Sequence, residues 1–122
     1  MMKKSEPKKT FTNKAPVKNV LRNLASNEAF HFYIGIGKPI NKTATSLMDF
    51  VEKLRTVDVH SVEFHFQRQD FEKWLKDTVG DDLLSRRIGG LERKVSGEVL
   101  RNEIIRIIKG RIDEIKRTQP LA

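Results

Sequence analysis

SVEFHFQRQ, residues 61–69, supports two readings, and the choice between them decides the fold. Val62, Phe64 and Phe66 alternate with polar residues at the two-residue period of a strand, which would place all three on one face. Ser61 equally suits the N-cap of a helix running EFHFQRQ. Only one earlier segment has a comparable alternation. In FHFYIGI, residues 30–36, the apolar Phe30, Phe32, Ile34 and Ile36 alternate with His31, Tyr33 and Gly35, and Gly37 and Pro39 end the run. A single strand cannot form a sheet alone. Pairing of 62–66 with 30–36 therefore gives a small two-stranded element, and the alternative is an all-helical chain.

The segments on either side read as helices. Ser46 followed by Asp49 resembles a capping box, and Leu47, Phe50, Val51 and Leu54 make one apolar stripe over 45–57. Asp70 suits the cap of a helix with the face Phe71, Trp74, Leu75 and Thr78, ended by Gly80. Asp81 or Asp82 can cap a short helix carrying Leu83, Leu84 and Ile88, stopped by Gly89 and Gly90. The last helix is expected from about Ser96 to Arg117, with Leu100, Ile104, Ile108 and Ile112 on one face and Ile105 and Ile107 widening it. An apolar arc that broad needs more than one neighbour or a second subunit to cover it. Leu100, Ile104, Ile105, Ile108, Ile112 and Ile115 are accordingly candidate interface residues of a homodimer. Val17, Val20, Leu21 and Leu24 suggest a short amphipathic helix over 17–25. The expected architecture is mainly α, with four to five helices in one domain over 17–118, a disordered arm at 1–16 and a tail at 119–122. A minor two-stranded β element stays open.

Composition fits a single core. The chain has 122 residues, 38% of them apolar and 33% charged, and no cysteine. Disulfides and thiolate metal sites are excluded, and a reducing compartment, the cytoplasm, is the expected home. No apolar run approaches 18 residues, so no membrane span is expected. Residues 1–25 lack the apolar stretch of a secretory signal.

Charge is the strongest functional signal. Residues 1–23 hold Lys3, Lys4, Lys8, Lys9, Lys14, Lys18 and Arg22 against Glu6 alone, out of a net charge of +8 for the whole chain. Lysines spaced by Thr, Asn and Pro suit a phosphate backbone and need no sequence reading. Arg86, Arg87, Arg93 and Lys94 cluster around Gly89 and Gly90 as a candidate second phosphate grip.

Other motifs carry less. GIGK at 35–38 lacks both the upstream glycine and the following Ser/Thr of a phosphate-binding loop. His31, His60 and His65 lack the spacing of a helical zinc pair, so no metal is expected. No nucleophile elbow occurs, and no catalytic residue or cofactor is assigned. His31, Glu63, His65, Arg68 and Asp70 are a polar set close in sequence, and a small-ligand or enzymatic site needs them to converge.

FHFY with Gly35 and Gly37, Ala44 through Phe50, SVEFHF, Arg68, DFEKW and the Gly80–Asp81 turn form an ordered series over residues 28–88, about half the chain. In this series the sequence resembles a largely archaeal domain family of unknown function. In that family's pattern a glycine often precedes the aspartate, where this chain has Gln69. The resemblance implies an archaeal cytoplasmic protein with a predominantly helical fold and no settled activity. The basic arm lies outside the matched region.

Two functions follow as expectations. The first is a non-enzymatic factor that binds RNA, the ribosome or DNA through its basic arm. The second is an interaction or regulatory module acting through the isoleucine-rich face of the last helix.

Overall fold

The computed structural model describes residues 20–118. Residues 61–68 are helical, and Gln69 is a left-handed turn residue. Helix α2 (Val59–Arg68) buries Ser61, Val62, His65 and Phe66, a helical stripe, and leaves Phe64 half-exposed. A strand would have buried Phe64 with Val62 and Phe66. Asp58, not Ser61, is the cap, accepting the His60 N–H at 2.8 Å. The Ser61 hydroxyl is buried in the first turn without a partner among the described residues.

The strand over 30–36 is shorter than expected and pairs elsewhere. β1 (Phe30–Tyr33) turns back on β2 (Pro39–Ala44) as an antiparallel hairpin, with Phe30 opposite Ala44, His31 opposite Thr43 and Tyr33 opposite Pro39. The register slips between His31 and Tyr33, where β2 carries Asn41 at φ 59°. Ile34 and Ile36, read as continuing the strand alternation of Phe30 and Phe32, are exposed in the connecting turn, which closes through Lys38 N–H to Gly35 O at 3.0 Å. Gly37 sits there at φ 68°, a conformation costly for any residue with a Cβ.

α1 (Leu47–Thr56) matches its expected stripe: Leu47, Phe50, Val51 and Leu54 are buried. Ser46 Oγ accepts the Asp49 N–H at 3.0 Å, and Asp49 reaches back to the Thr45 N–H at 3.0 Å. α3 (Asp70–Lys73) follows α2 after one residue, and its cap position is Gln69, which makes no side-chain cap bond. Asp70 is not a cap, because its carboxylate is taken by His65 and Arg68. The helix continues as a π-helical segment (Trp74–Val79), whose wide turn closes through Gly80 N–H to Leu75 O at 2.9 Å. Gly80 ends it at φ 90°. α4 (Asp82–Gly89) is capped by Asp81, and α5 (Gly97–Thr118) completes the chain. The architecture is mainly helical with one small antiparallel sheet.

The core is aromatic at one end and aliphatic at the other. Phe30, Phe50, Phe71 and Trp74 pack ring against ring at 5.0 to 5.4 Å, and Phe32 stacks on Phe50 at 5.7 Å. Leu100, Ile104, Ile108, Ile112 and Ile115 of α5 are buried in this same core, against α1, α2 and α4. Ile105 packs partly buried beside them. The face expected as a dimer surface is thus covered by the chain's own helices. Of the expected helix over 17–25, the described part keeps a helical turn at residues 20–21. Val20 and Leu24 are still buried, and Leu24 N–H bonds Thr45 O at 2.7 Å.

Candidate functional site

The hairpin, α2 and the α3–π segment enclose an open groove of about 510 Å³, lined largely by apolar atoms. Tyr33 and the turn residues Gly35, Ile36 and Gly37 form one wall. Phe64, His65 and Arg68 come from α2, and Asp70, Lys73, Trp74, Asp77 and Thr78 from the opposite segment.

His65 holds these walls together. It is 4% exposed and ringed by Phe30, Phe64 and Phe71 at 4.8 to 5.7 Å. Its Nε2 accepts the Tyr33 backbone N–H at 2.8 Å, and its Nδ1 lies 2.8 Å from Asp70 Oδ2. A backbone N–H only donates and a carboxylate only accepts. The ring is therefore the neutral tautomer with its proton on Nδ1. Burial pushes its pKa below the ordinary value, against the pull of Asp70. The pair has the outline of a catalytic His–Asp dyad, but the nitrogen that would take a proton already holds Tyr33. Its role in this geometry is a clamp, joining the free edge of β1 to α2 and α3.

Of the polar set singled out in the sequence, His31, His65, Arg68 and Asp70 line the groove. Glu63 does not join them, because its carboxylate accepts the Gly97 N–H at 2.7 Å. Arg68 is tied by Nε to Asp70 at 3.0 Å, and its guanidinium lies 5.0 Å over the Phe64 ring. Tyr33, Ile36, Lys73, Asp77 and Thr78 were not read as site residues, since they reach the groove only through the hairpin, α3 and the π-segment. Trp74, read as core, is buried, and its indole N–H meets Glu28 O at 2.9 Å. No three of the described His, Asp and Glu residues gather as a metal ion would require.

The basic candidates divide. Lys3, Lys4, Lys8, Lys9, Lys14 and Lys18 lie outside the described residues. Arg22, half-buried, donates to Thr78 O at 2.6 Å and Val79 O at 3.0 Å, satisfying carbonyls at the end of the π-segment. Arg93 is half-buried, lying 4.1 Å over the Phe66 ring and bonded to Glu72 at 2.6 Å. Arg87 pairs with Glu114 at 2.9 Å, and the exposed Arg86 faces Asp82 at 3.1 Å. Lys94 lies 3.7 Å from Glu92. The four residues around Gly89 and Gly90 each have a carboxylate beside them, so they do not form a concentrated positive patch.

No protein-family model, curated protein or solved structure matches the chain. Among the described residues no helix is long and apolar enough to cross a membrane.

Proposed function

We propose that this protein is a non-enzymatic nucleic-acid-binding factor anchored by its N-terminal lysines, with ribosomal RNA as one natural target. The observation that carries this reading is where the arm is rooted. Val20 is buried, and two residues on Arg22 is bonded to Thr78 and Val79. Thr78 also lines the groove. Lys3, Lys4, Lys8, Lys9, Lys14 and Lys18 all precede this root within 17 residues of Val20 in the sequence. The burial of Leu100, Ile104, Ile108, Ile112 and Ile115 against the chain's own helices favours this reading over a dimer surface on α5.

The test is a salt titration of fluorescence anisotropy on labelled RNA and duplex DNA. Full-length protein is compared with a variant carrying Gln at Lys3, Lys4, Lys8, Lys9, Lys14 and Lys18. About five phosphate contacts give a log–log slope near −3.5 on single strands and −4.5 on a duplex. The Gln variant is expected to lose most of that slope. A shallow slope for the unaltered protein, or one that survives the replacement, overturns the reading.

A further inference from the structure

We infer that the groove between the hairpin and the π-segment takes an unpaired nucleobase of a single strand. This rests on the nucleic-acid reading above and adds what the body recognises. Four observations converge on it.

The groove is large enough for a nucleotide, and its lining combines an apolar floor with a few polar groups at the rim, the pattern of a small-ligand site. A base inside a duplex is stacked and cannot enter it, so the occupant is unpaired.

A stack is already begun on the α2 side. Phe64 is half-exposed, with the Arg68 guanidinium 5.0 Å above its ring. Arg68 Nε is fixed by Asp70, while its Nη atoms have no acceptor among the described residues. A guanidinium plane held this way is a stacking surface for a base, and its free donors suit the adjoining phosphate. Tyr33, also half-exposed, supplies a second ring from the opposite wall.

Ile36 stands 75% exposed at the hairpin tip, between Gly35 and Gly37, and faces the groove. A base in the groove gives this side chain an apolar surface to cover. The far wall is a π-helical turn, a device that costs backbone regularity and is frequent at functional sites. It brings Trp74, Asp77 and Thr78 to the groove, and its end is where the arm is rooted. The rim carries exposed Arg68 and Lys73 against Asp70 and Asp77, so the groove is close to neutral and suits the uncharged base rather than the phosphates of a strand.

The experiment compares two short single strands of equal length and charge, one carrying adenine at every position and one abasic throughout, each in ribose and deoxyribose form. Full-length protein is expected to bind the base-bearing strand at least tenfold more tightly. Arg68→Ala and Phe64→Leu are expected to abolish that preference while keeping the steep, salt-dependent affinity for the abasic strand. Val99→Ala, at an exposed uncharged position of α5 outside the groove lining, is expected to leave both unchanged. A ribose preference identifies RNA as the source of the base, and equal preference in both sugars identifies single strands in general. Equal, salt-steep binding of the abasic and base-bearing strands overturns the groove proposal and leaves the arm reading standing. Failure to bind either strand overturns both. Because the decisive comparison uses the unaltered chain, a variant that fails to fold does not protect the proposal.

Discussion

Gln69 stands between α2 and α3 at φ 65° and ψ 25°. The left-handed conformation costs a residue with a Cβ about 1–2 kcal/mol, and the fold imposes it for an identifiable reason. With only one residue between the helices, the chain must turn at Gln69 to bring Asp70 back onto His65. The Gln69 N–H meanwhile closes α2 on Phe66 O at 3.1 Å. Glycine meets the same requirement without the steric penalty, although its freedom in the unfolded chain offsets part of the gain. Gln69→Gly is therefore expected to raise stability by about 0.5–1 kcal/mol, measured as a higher urea midpoint at unchanged slope. A lower midpoint would mean that the glutamine side chain holds contacts worth more than the strain. His65 marks the limit of reading at this scale. Its type and its aromatic neighbours Phe64 and Phe66 were visible in the sequence. Its acceptor role toward Tyr33, 32 residues away, depends on tertiary placement and was not.

At the scale of elements, α1 was legible because capping and apolar spacing agree, and α2 was not because they conflict. VEFHF alternates perfectly for a strand, but helical burial of Val62 and Phe66 four residues apart wins once α5 covers that stripe. β2 was missed because PINKTA begins with proline and offers only Ile40 and Ala44 to the core, too little for periodicity to register. The ambiguous segment does lie beside β1 as expected, but as a helix that supplies one imidazole instead of a ladder of backbone bonds. The joints between helices were also beyond sequence reading. Arg101 of α5 is the clearest. Its side chain is 11% exposed, and Nη1 donates to Leu54 O at 2.6 Å and Val57 O at 2.7 Å, closing the C-terminal end of α1. A cation there meets both orphan carbonyls and the negative end of the helix. Arg101→Met keeps much of the aliphatic stem and removes the donors. The expected loss is about 2 kcal/mol, as for hydrogen bonds from a charged donor, read from denaturant unfolding. A loss under about 0.5 kcal/mol would show that water replaces the guanidinium at those carbonyls.

Across the whole molecule, one side chain joins the hairpin, α2 and α3, and it is titratable. Neutral His65 accepts from Tyr33, whereas the protonated ring has no lone pair for that bond and would carry its charge into an aromatic enclosure. Arg68, paired with the same Asp70, adds to the resistance. The folded-state pKa is therefore depressed below the unfolded value of about 6.5. Near and below pH 6.5 the unfolded chain binds a proton that the folded chain resists. The stability contributed by neutral His65 is accordingly complete above that pH and is lost as pH falls through the folded pKa, at a slope of at most ~1.4 kcal/mol per pH unit. The carboxylates stabilised by hydrogen bonds act in a lower window. Asp58, bonded to His60, and Glu98, Glu103 and Glu114, bonded to arginines, sit below their ordinary values. Their contributions hold until pH falls below roughly 4.5. Two separate losses are thus expected on acidification, the first belonging to His65. In His65→Gln the amide oxygen can still accept from Tyr33 but nothing titrates, so the first loss is expected to vanish from a plot of urea midpoint against pH. A flat profile between pH 7 and 5 in the unaltered protein would show that His65 is protonated as readily in the folded chain as in the unfolded one, so that losing the Tyr33 bond costs the fold nothing. The clamp would then be no condition of the fold. The same variant bears on the groove, whose walls His65 fixes: if the clamp orients Tyr33 and Arg68, base-dependent binding weakens in step with the first acid loss.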